Sequence, residues 1–493
     1  MGATELTPIG GSTLDAQHAL ATEIFTSTLE ACNIATAFDD RFRFEGNTLK
    51  RLASFGGEPE AVNLSDYRKV FVIAMGKAAG RMLEVLLERM PRRQGLRGIC
   101  CSKYLPAERN WRFRYFEGGH PLPNEESFAA ARAALALLKK ARKDTLIFFL
   151  ISGGGSAMFD LPLDERIGLE ETVAFHKVLL GCGAPINDIN VLRKHFSAVK
   201  GGRLAAAAPE ARKISLLLPD VPLRSIDSLS SGPTSPDHST LEDVRAILTK
   251  YQLEKELPQS VIQLLTAEES EIARESTQSR HALFSRTSIK DFTKALQGAE
   301  TSPEQLQDSP FCNSTYEVLL SSQDLVENAR KQAEKAGFVV AVDNSCDDWD
   351  YADAAHYLLE RFHLLRKNHE RFCLISVGEV VVTLNRTPGA GGRNQQFALE
   401  CARELAQFPE ERLTVLSAGS DGIDGNTTNA GAIADTTTFG RARAFGFDPE
   451  ESLRNFDACP LFTALGDTLV TGPTGQNLRD LRLLLSEKDS YPD

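Results

Sequence analysis

Short apolar runs alternate along the first half of the chain with stretches whose apolar positions recur at helical spacing. Leu14, Leu20, Ile24, Leu29 and Ile34 fall on one face of a helix predicted over residues 13–35. Lys69–Met75 reads as a buried strand, followed by a helix at Ala78–Arg89. Gly98–Tyr104 and Phe113–Phe116 predict further strands, and Asn124 is placed to cap an alanine-rich helix running to about Arg142. Thr145–Ile151 and Lys213–Leu218 are apolar strands, with a long helix from about Leu169 between them. Strands joined by helical crossovers imply a parallel, doubly wound sheet.

From about Leu241 to Phe311 the character changes. The segment is polar, with helical pieces at Thr240–Tyr251 and Gln259–Glu269 and a Ser/Thr/Gln-rich stretch near Glu275–Ser288. It reads as a solvated connection. A second α/β pattern opens at Tyr316, with strands Tyr316–Leu320 and Phe338–Val342 around a helix at Gln323–Lys335. The helix Ala352–Arg366, the strand Phe372–Val377, its resumption at Glu379–Leu384, a helix over 394–407 and the strand Leu413–Ala418 follow. The expected organisation is therefore residues 1–255 as an N-terminal domain, 256–315 as a variable helical connection and 316–493 as a C-terminal domain. Two α/β domains imply a cleft between them, a favoured place for a ligand.

Charge and cysteines narrow the function. A formal net charge of −12 leaves no basic excess for nucleic acid or an anionic membrane. No apolar run reaches the ~20 residues of a membrane span. The first thirty residues carry acids and lack the apolar core of a signal peptide. Nine cysteines without a Cys-x-x-Cys pair suit reduced thiols and a cytoplasmic setting rather than disulfides or a zinc site.

Candidate chemistry gathers at glycine-rich strand ends. Ser152-Gly153-Gly154-Gly155-Ser156 follows the strand Thr145–Ile151, where backbone N–H groups and hydroxyls can surround an anion. Gly76-Lys77-Ala78 follows Lys69–Met75 and puts a lysine at a helix start, a placement a bound phosphate would relieve. His120, in a Gly-Gly-His-Pro turn, is a candidate ligand donor. Arg193, Lys194, His195, Lys200 and Arg203 cluster in an otherwise acidic chain and suggest an anion pocket. Asp220 follows the strand Lys213–Leu218 and is a candidate for Mg2+ or a substrate proton. Gly391-Gly392-Arg393-Asn394-Gln395 opens a helix with a guanidinium suited to bidentate anion recognition. Asp421 and Asp424 stand in a loop after Leu413–Ala418, but the ladder and closing Glu of a calcium loop are missing. Neither a Walker A loop nor Gly-x-Gly-x-x-Gly is present.

Taken in order, Met75–Ala79, Gly118–Pro121, Leu150–Ala157, Leu192–Leu204, Ser231–Thr234, Gly378-Glu379, Gly391–Gln395, Gly419–Gly425 and Thr471–Gly475 closely resemble the glycerate 2-kinase family with a C-terminal MOFRL domain. The resemblance implies a Rossmann-like N-terminal domain with a doubly wound parallel sheet and a smaller C-terminal domain with a mixed sheet. It implies phosphorylation of D-glycerate by ATP with Mg2+, giving 2-phosphoglycerate, and puts the family's active-site lysine and arginine at Lys77 and Arg393. The candidate catalytic residues are thus Lys77, Arg393 and Asp220. The candidate phosphate- or substrate-binding set is Ser152, Gly153, Gly154, Gly155, Ser156, His120, Lys200, Arg203, Asn394 and Gln395, and Asp421, Asp424 and Glu379 are nucleotide or metal candidates. Oligomeric state stays open, a homodimer included. Some members are labelled hydroxypyruvate reductases, a role for which a dinucleotide fingerprint is missing; a phosphosugar- or phosphoglycerate-binding regulator is the non-enzymatic alternative. Two departures stand out: Pro222–Asp227 replaces an acidic stretch usual after Asp220-Val221, and Asn429 stands where Asp is common.

Overall fold

The computed structural model describes residues 11–52, 60–221, 223–267, 310–311, 313–384 and 386–488. The chain forms two compact units, Ile34–Ser321 and a second built from the residues up to Asn33 together with Ser322 onward.

In the first unit six parallel strands lie in the spatial order Phe113–Phe116, Leu96–Cys101, Lys69–Met75, Thr145–Ser152, Arg212–Leu218, Ser314–Val318. Counted along the chain this is 3-2-1-4-5-6, the doubly wound order of Rossmann-like sheets. Thr145–Ser152 is buried at every position, as an apolar run must be when helices cover both faces of a sheet. Ile73, Phe149, Ile151 and Leu217 pack with Phe128, Ala130 and Ala134 of the helix Glu125–Leu138. That helix starts where expected, because Asn124 and Ser127 cap each other reciprocally. A second core joins Phe175, Leu192 and Phe196 to Val244, Leu248 and Val261.

Two differences from the sequence expectation concern the edges of this unit. Tyr316 does not open the second domain: Ser314–Val318 is the edge strand of the first sheet, beside Arg212–Leu218. The polar connection is a crossover between neighbouring parallel strands, and its helices Leu241–Lys250 and Gln259–Thr266 bury one face in the second core. The stretch Glu275–Ser288 lies outside the described residues. A three-stranded antiparallel sheet, Phe42–Glu45, Thr48–Arg51 and Glu60–Asn63, was also not anticipated.

Lys200, expected to face an anion, points into the interior. Its Nζ is 2.5 Å from Asp160 Oδ1, and the lysine is about 1% exposed. Asp160 also accepts from Ser197 Oγ at 2.6 Å and Leu161 N at 2.9 Å, with His176 Nε2 at 2.8 Å. Burial alone would raise the Asp160 carboxyl, but the Lys200 ammonium and then His176 hold it well below the usual range. Burial lowers Lys200 to about 8 against the pull of Asp160.

The second unit carries a mixed sheet in the order Val339–Val342, Arg371–Val377, Asp480–Glu487, Arg412–Gly419, Gly431–Asp435, Thr468–Leu469. Only the first pair is parallel; Asp480–Glu487 is central and antiparallel to both neighbours. One core holds Leu358, Phe362, Leu374, Phe397 and Leu484, another Leu399, Ala432, Phe439 and Phe462. Glu379–Leu384 does not resume the strand. At Gly378 the backbone turns to φ +147° and leaves the sheet, retaining a single bridge between Val381 and Asp350. Among the described residues no helix is long and apolar enough to cross a membrane.

The helix predicted over 13–35 divides near Asn33. Gly11–Ala31 belongs to the second unit, not to the first domain as expected, and Ile34–Arg41 to the first. Thr414 Oγ1 donates to Gln17 Oε1 at 2.7 Å and Gln476 Nε2 to Leu29 O at 3.2 Å. His18 Nε2 lies 2.8 Å from Asp435 and Nδ1 lies 3.5 Å from Asp467. Burial lowers the His18 pKa, but the two carboxylates outweigh it and raise it from 6.5 to about 9. Burial likewise opposes charge on Asp435, yet His18 and its other partners hold it near 2.

Two predictions follow from these buried charges. A histidine whose pKa is raised on folding stabilises fully below its unfolded value and loses that effect as pH rises through the folded value. Wild-type melting temperature should therefore fall between about pH 6.5 and 9, whereas His18→Leu should melt lower at pH 6 and be flatter across that window; parallel curves would exclude the ion pair as the anchor. Removing one partner of a buried pair costs roughly 3–5 kcal/mol. Lys200→Met should destabilise on that scale, and adding Asp160→Asn should recover part of the loss in denaturant titrations; additive effects would rule out the coupling.

Candidate active site

Lys69–Met75 and Thr145–Ser152 run side by side in register, Met75 opposite Ile151. Their next strands lie on opposite sides, Leu96–Cys101 beyond one and Arg212–Leu218 beyond the other. This is the topological switch point, where doubly wound sheets open a crevice at their carboxyl ends. The two exits are knitted together. Gly76 has φ +107°, and a Cβ there would overlap the Ser152 carbonyl. Lys77 N–H donates to Gly153 O at 2.8 Å and Ala78 N–H to Ser152 Oγ at 3.0 Å, while Ser152 Oγ donates to Met75 O at 3.4 Å. The Ser152 hydroxyl, expected to bind an anion, is thus a tie between loops.

Around this tie the candidate side chains converge. A Cβ at Gly153 would overlap the Asp220 carboxylate, which arrives from the end of Arg212–Leu218. Gly154 has φ +83°, and a Cβ there would stand 3.1 Å from Lys77 Cγ and 3.3 Å from His120 Cδ2. Lys77, His120 and Asp220 therefore surround one loop, whose half-buried positions are Gly154 and Ser156; Ser152, Gly153 and Gly155 are buried. Gly155 is pressed by Ser230 Oγ, which donates to Ser152 O at 2.8 Å, and Ser156 Oγ meets Ser231 Oγ at 2.8 Å. Ser230 and Ser231 were not named as site residues. The Ser-Ser-Gly-Pro run at 230–233 was the available signal, since a turn rich in serine can bring hydroxyls to a neighbouring loop.

The basic cluster does not form the expected anion pocket. Arg203 Nη1 donates to the carbonyls of Lys194 at 2.6 Å and Lys200 at 3.2 Å. Lys194 Nζ is 3.6 Å from Asp237, Arg193 is buried, and His195 Nε2 meets Ser239 Oγ at 3.1 Å. Lys194, Lys200 and Arg203 are met by local carbonyls and acids and Arg193 is buried, so their charge is not presented as one surface. The backbone here supports the site instead. Gly201 N–H bonds Ser231 O at 3.1 Å and Gly202 N–H bonds Gly232 O at 2.7 Å.

In the second unit Arg393 is the first residue of the helix Arg393–Leu405. Its Nε donates to Asp480 Oδ2 at 2.6 Å, and Nη2 to Asp480 Oδ1 at 3.1 Å and Glu379 Oε1 at 2.8 Å. Burial disfavours this charge, but Asp480 and Glu379 outweigh it and raise the pKa. Glu379, a metal candidate, is thus an ion-pair partner of the arginine. Asp424 lies under the helix start. Its carboxylate accepts the backbone N–H groups of Asn394 at 3.0 Å and Gln395 at 2.9 Å, and their side-chain amides at 3.3 and 3.1 Å. A carboxylate is favoured at this end of a helix, although burial still raises its pKa to about 6. Gly392 is required because a Cβ would overlap Asp424.

These bonds bear on three expectations. Asn394 and Gln395 hold Asp424, Ser417 and Thr427 rather than presenting open donors. Both Asp424 oxygens are taken by N–H donors, which does not fit a metal ligand. Asp421 Oδ1 accepts Ile423 N–H at 3.1 Å, a turn contact. Among the described residues no group of three or more His, Cys, Asp or Glu is placed to hold a metal.

Comparison with known proteins identifies the family. A family model described as a domain of unknown function, DUF4147, matches residues 20–266, and the MOFRL family matches residues 372–480. The chain is 30% identical over 456 residues to a glycerate 2-kinase of Pyrococcus horikoshii, covering 89% of this chain and 95% of that protein. It is 32% identical over 421 residues to a putative hydroxypyruvate reductase of Agrobacterium vitis, covering 84% and 86%. The crystal structure of a glycerate kinase from Thermotoga maritima superposes with a TM-score of 0.71 at 29% identity, covering 96% of this chain and 100% of that one. The chain belongs to the glycerate 2-kinase family, a DUF4147 domain followed by a MOFRL domain.

Proposed function

We propose that this protein transfers the γ-phosphoryl group of ATP to D-glycerate, giving 2-phosphoglycerate and ADP. The observation that carries this reading is the convergence of Lys77, His120 and Asp220 on the glycine loop at the switch point of the parallel sheet, in a chain of the glycerate kinase family.

Phosphoryl transfer asks a protein for positioning and for neutralised charge more than for covalent chemistry. Lys77 offers a cation beside Gly154, where the missing Cβ lets an anion approach the backbone. Asp220 offers a carboxylate to take the proton of the attacking hydroxyl. Arg393 keeps Nη1 for a ligand while Asp480 and Glu379 fix the rest of the guanidinium. Mg2+ travelling with the nucleotide would neutralise phosphate charge. Held through substrate phosphates it needs only one or two carboxylates, and Asp220 suits that task where Asp424 does not.

The purified protein with ATP, Mg2+ and D-glycerate should release ADP, and phosphorus NMR should find the phosphate at the 2-position. Lys77→Ala should lower kcat by ~10²-fold or more with melting temperature kept, and Arg393→Ala should lower kcat on the same scale in protein still folded at the assay temperature, its melting point falling because Asp480 loses its partner; near-normal turnover in either removes its role. Gly153→Ala should also be nearly inactive, because the new methyl displaces the Asp220 carboxylate. Oxidation of NADH by hydroxypyruvate without ADP release from glycerate would favour the reductase reading suggested by the Agrobacterium relative.

A further inference from the structure

Ser156 ends a directed chain of hydroxyls. Ser231 Oγ donates its proton to Asn190 Oδ1 at 2.9 Å. A serine hydroxyl has one proton to give, so the 2.8 Å contact between Ser156 and Ser231 is a donation from Ser156. The inner end of this relay is closed: Ser231 is 0% and Asn190 3% exposed, whereas Ser156 is half-buried on the glycine loop.

The backbone is bent to build it. Ser230 and Ser231 have φ +52° and +60°, left-handed values that residues other than glycine seldom adopt, and Gly232 follows at +63°. Such a conformation persists where the surroundings hold it. Here Gly201 N–H bonds Ser231 O, Gly202 N–H bonds Gly232 O, and Ser230 Oγ bonds Ser152 O.

With its proton committed inward, Ser156 presents lone pairs to whatever lies over the loop. Ionised phosphate oxygens are themselves acceptors and gain nothing there. An alcohol is a donor and fits. We propose that Ser156 accepts a hydrogen bond from the non-reacting hydroxyl of the acid being phosphorylated, with Ser231 and Asn190 as positioning residues that fix its polarity. This deepens the kinase reading and rests on it. The reacting hydroxyl must surrender its proton to a base, so the alcohol that stays a donor is the other one. With transfer to the 2-position this is the 3-hydroxyl, and Ser156 selects a dihydroxy acid over a monohydroxy acid.

The test compares D-glycerate with D-lactate, which lacks the 3-hydroxyl. Ser156→Ala should narrow the kcat/KM preference for D-glycerate by about tenfold, the scale of one hydrogen bond. It should do so by weakening glycerate alone, with KM for ATP unchanged. Ser231→Gly removes the relay hydroxyl in a residue suited to the left-handed backbone and should narrow the preference too. Asn190→Asp keeps an acceptor for Ser231 and should retain the preference. An unchanged preference in Ser156→Ala, or a raised KM for ATP with glycerate unaffected, would overturn the assignment. Collapse of the preference in Asn190→Asp would overturn the polarity argument. A wild-type protein that phosphorylates neither acid would overturn the kinase reading, and this inference with it.

Discussion

At the centre of the parallel sheet two strands end so close together that no side chain fits between their exits. Gly76 lies against Ser152, and there the chain must be glycine for both space and φ. The rest of the site depends on that approach. It brings the Ser152 hydroxyl to Ala78 N–H and the Gly153 carbonyl to Lys77 N–H, so the origin of the lysine and the glycine loop behave as one body. The glycines of the loop then have separate tasks. Gly153 admits the Asp220 carboxylate, Gly155 admits Ser230, and Gly154 supplies a left-handed turn at a half-buried position. A row of three glycines reads as one cradle in sequence; in space it is three close approaches, one of which remains accessible.

Each unit also uses a buried carboxylate to fix its glycine cluster. Asp160 draws Lys200, Ser197 and His176 together just after the first loop. Asp424 gathers the first N–H groups of the helix that begins with Arg393. Ionised groups inside a protein are poor sources of net stability, because desolvation offsets their attraction. Their value here is geometric. Asp424 sets where the helix starts and therefore where Arg393 emerges, and Asp480 with Glu379 then fixes the direction of the guanidinium.

The central strands of the first sheet were legible because they are apolar runs. Lys69–Met75 and Phe113–Phe116 fall where their patterns put them. Lys77, His120 and Asp220 were legible as a set because all three follow such strands, and a doubly wound sheet brings those ends together. The failures come from long-range pairing. Ser314–Val318 carries no local mark of the sheet it joins, and the central strand Asp480–Glu487 is inserted from the far end of the chain between two strands already recognised. Burial also reverses the meaning of charge. Lys200 and Arg203 look like an anion site until the carbonyls and acids that surround them are known, and the acids of Ser420–Gly425 look like metal ligands until helix N–H groups occupy Asp424. The gathering of the first helix into the second unit rests on His18 and Gln17, whose partners lie some 400 residues away.

The strand order alone does not separate a kinase from a dinucleotide-dependent reductase, since both chemistries use doubly wound sheets. The turn before the helix Ala79–Arg89 bears on the choice. In a dinucleotide fold the helix after the first strand offers its open N–H groups to the pyrophosphate, across a glycine-rich turn. Here the turn that leads into the helix is already bonded within the protein. Lys77 N–H goes to Gly153 O, Ala78 N–H to Ser152 Oγ and Ala79 N–H to Gly76 O. A pyrophosphate bound to that turn would have to displace protein acceptors. The turn also brings the Lys77 side chain beside the half-buried Gly154. A lysine beside the glycine loop can neutralise charge on a phosphoryl group. Hydride transfer gives such a cation no comparable task, which is in keeping with the proposed phosphoryl transfer.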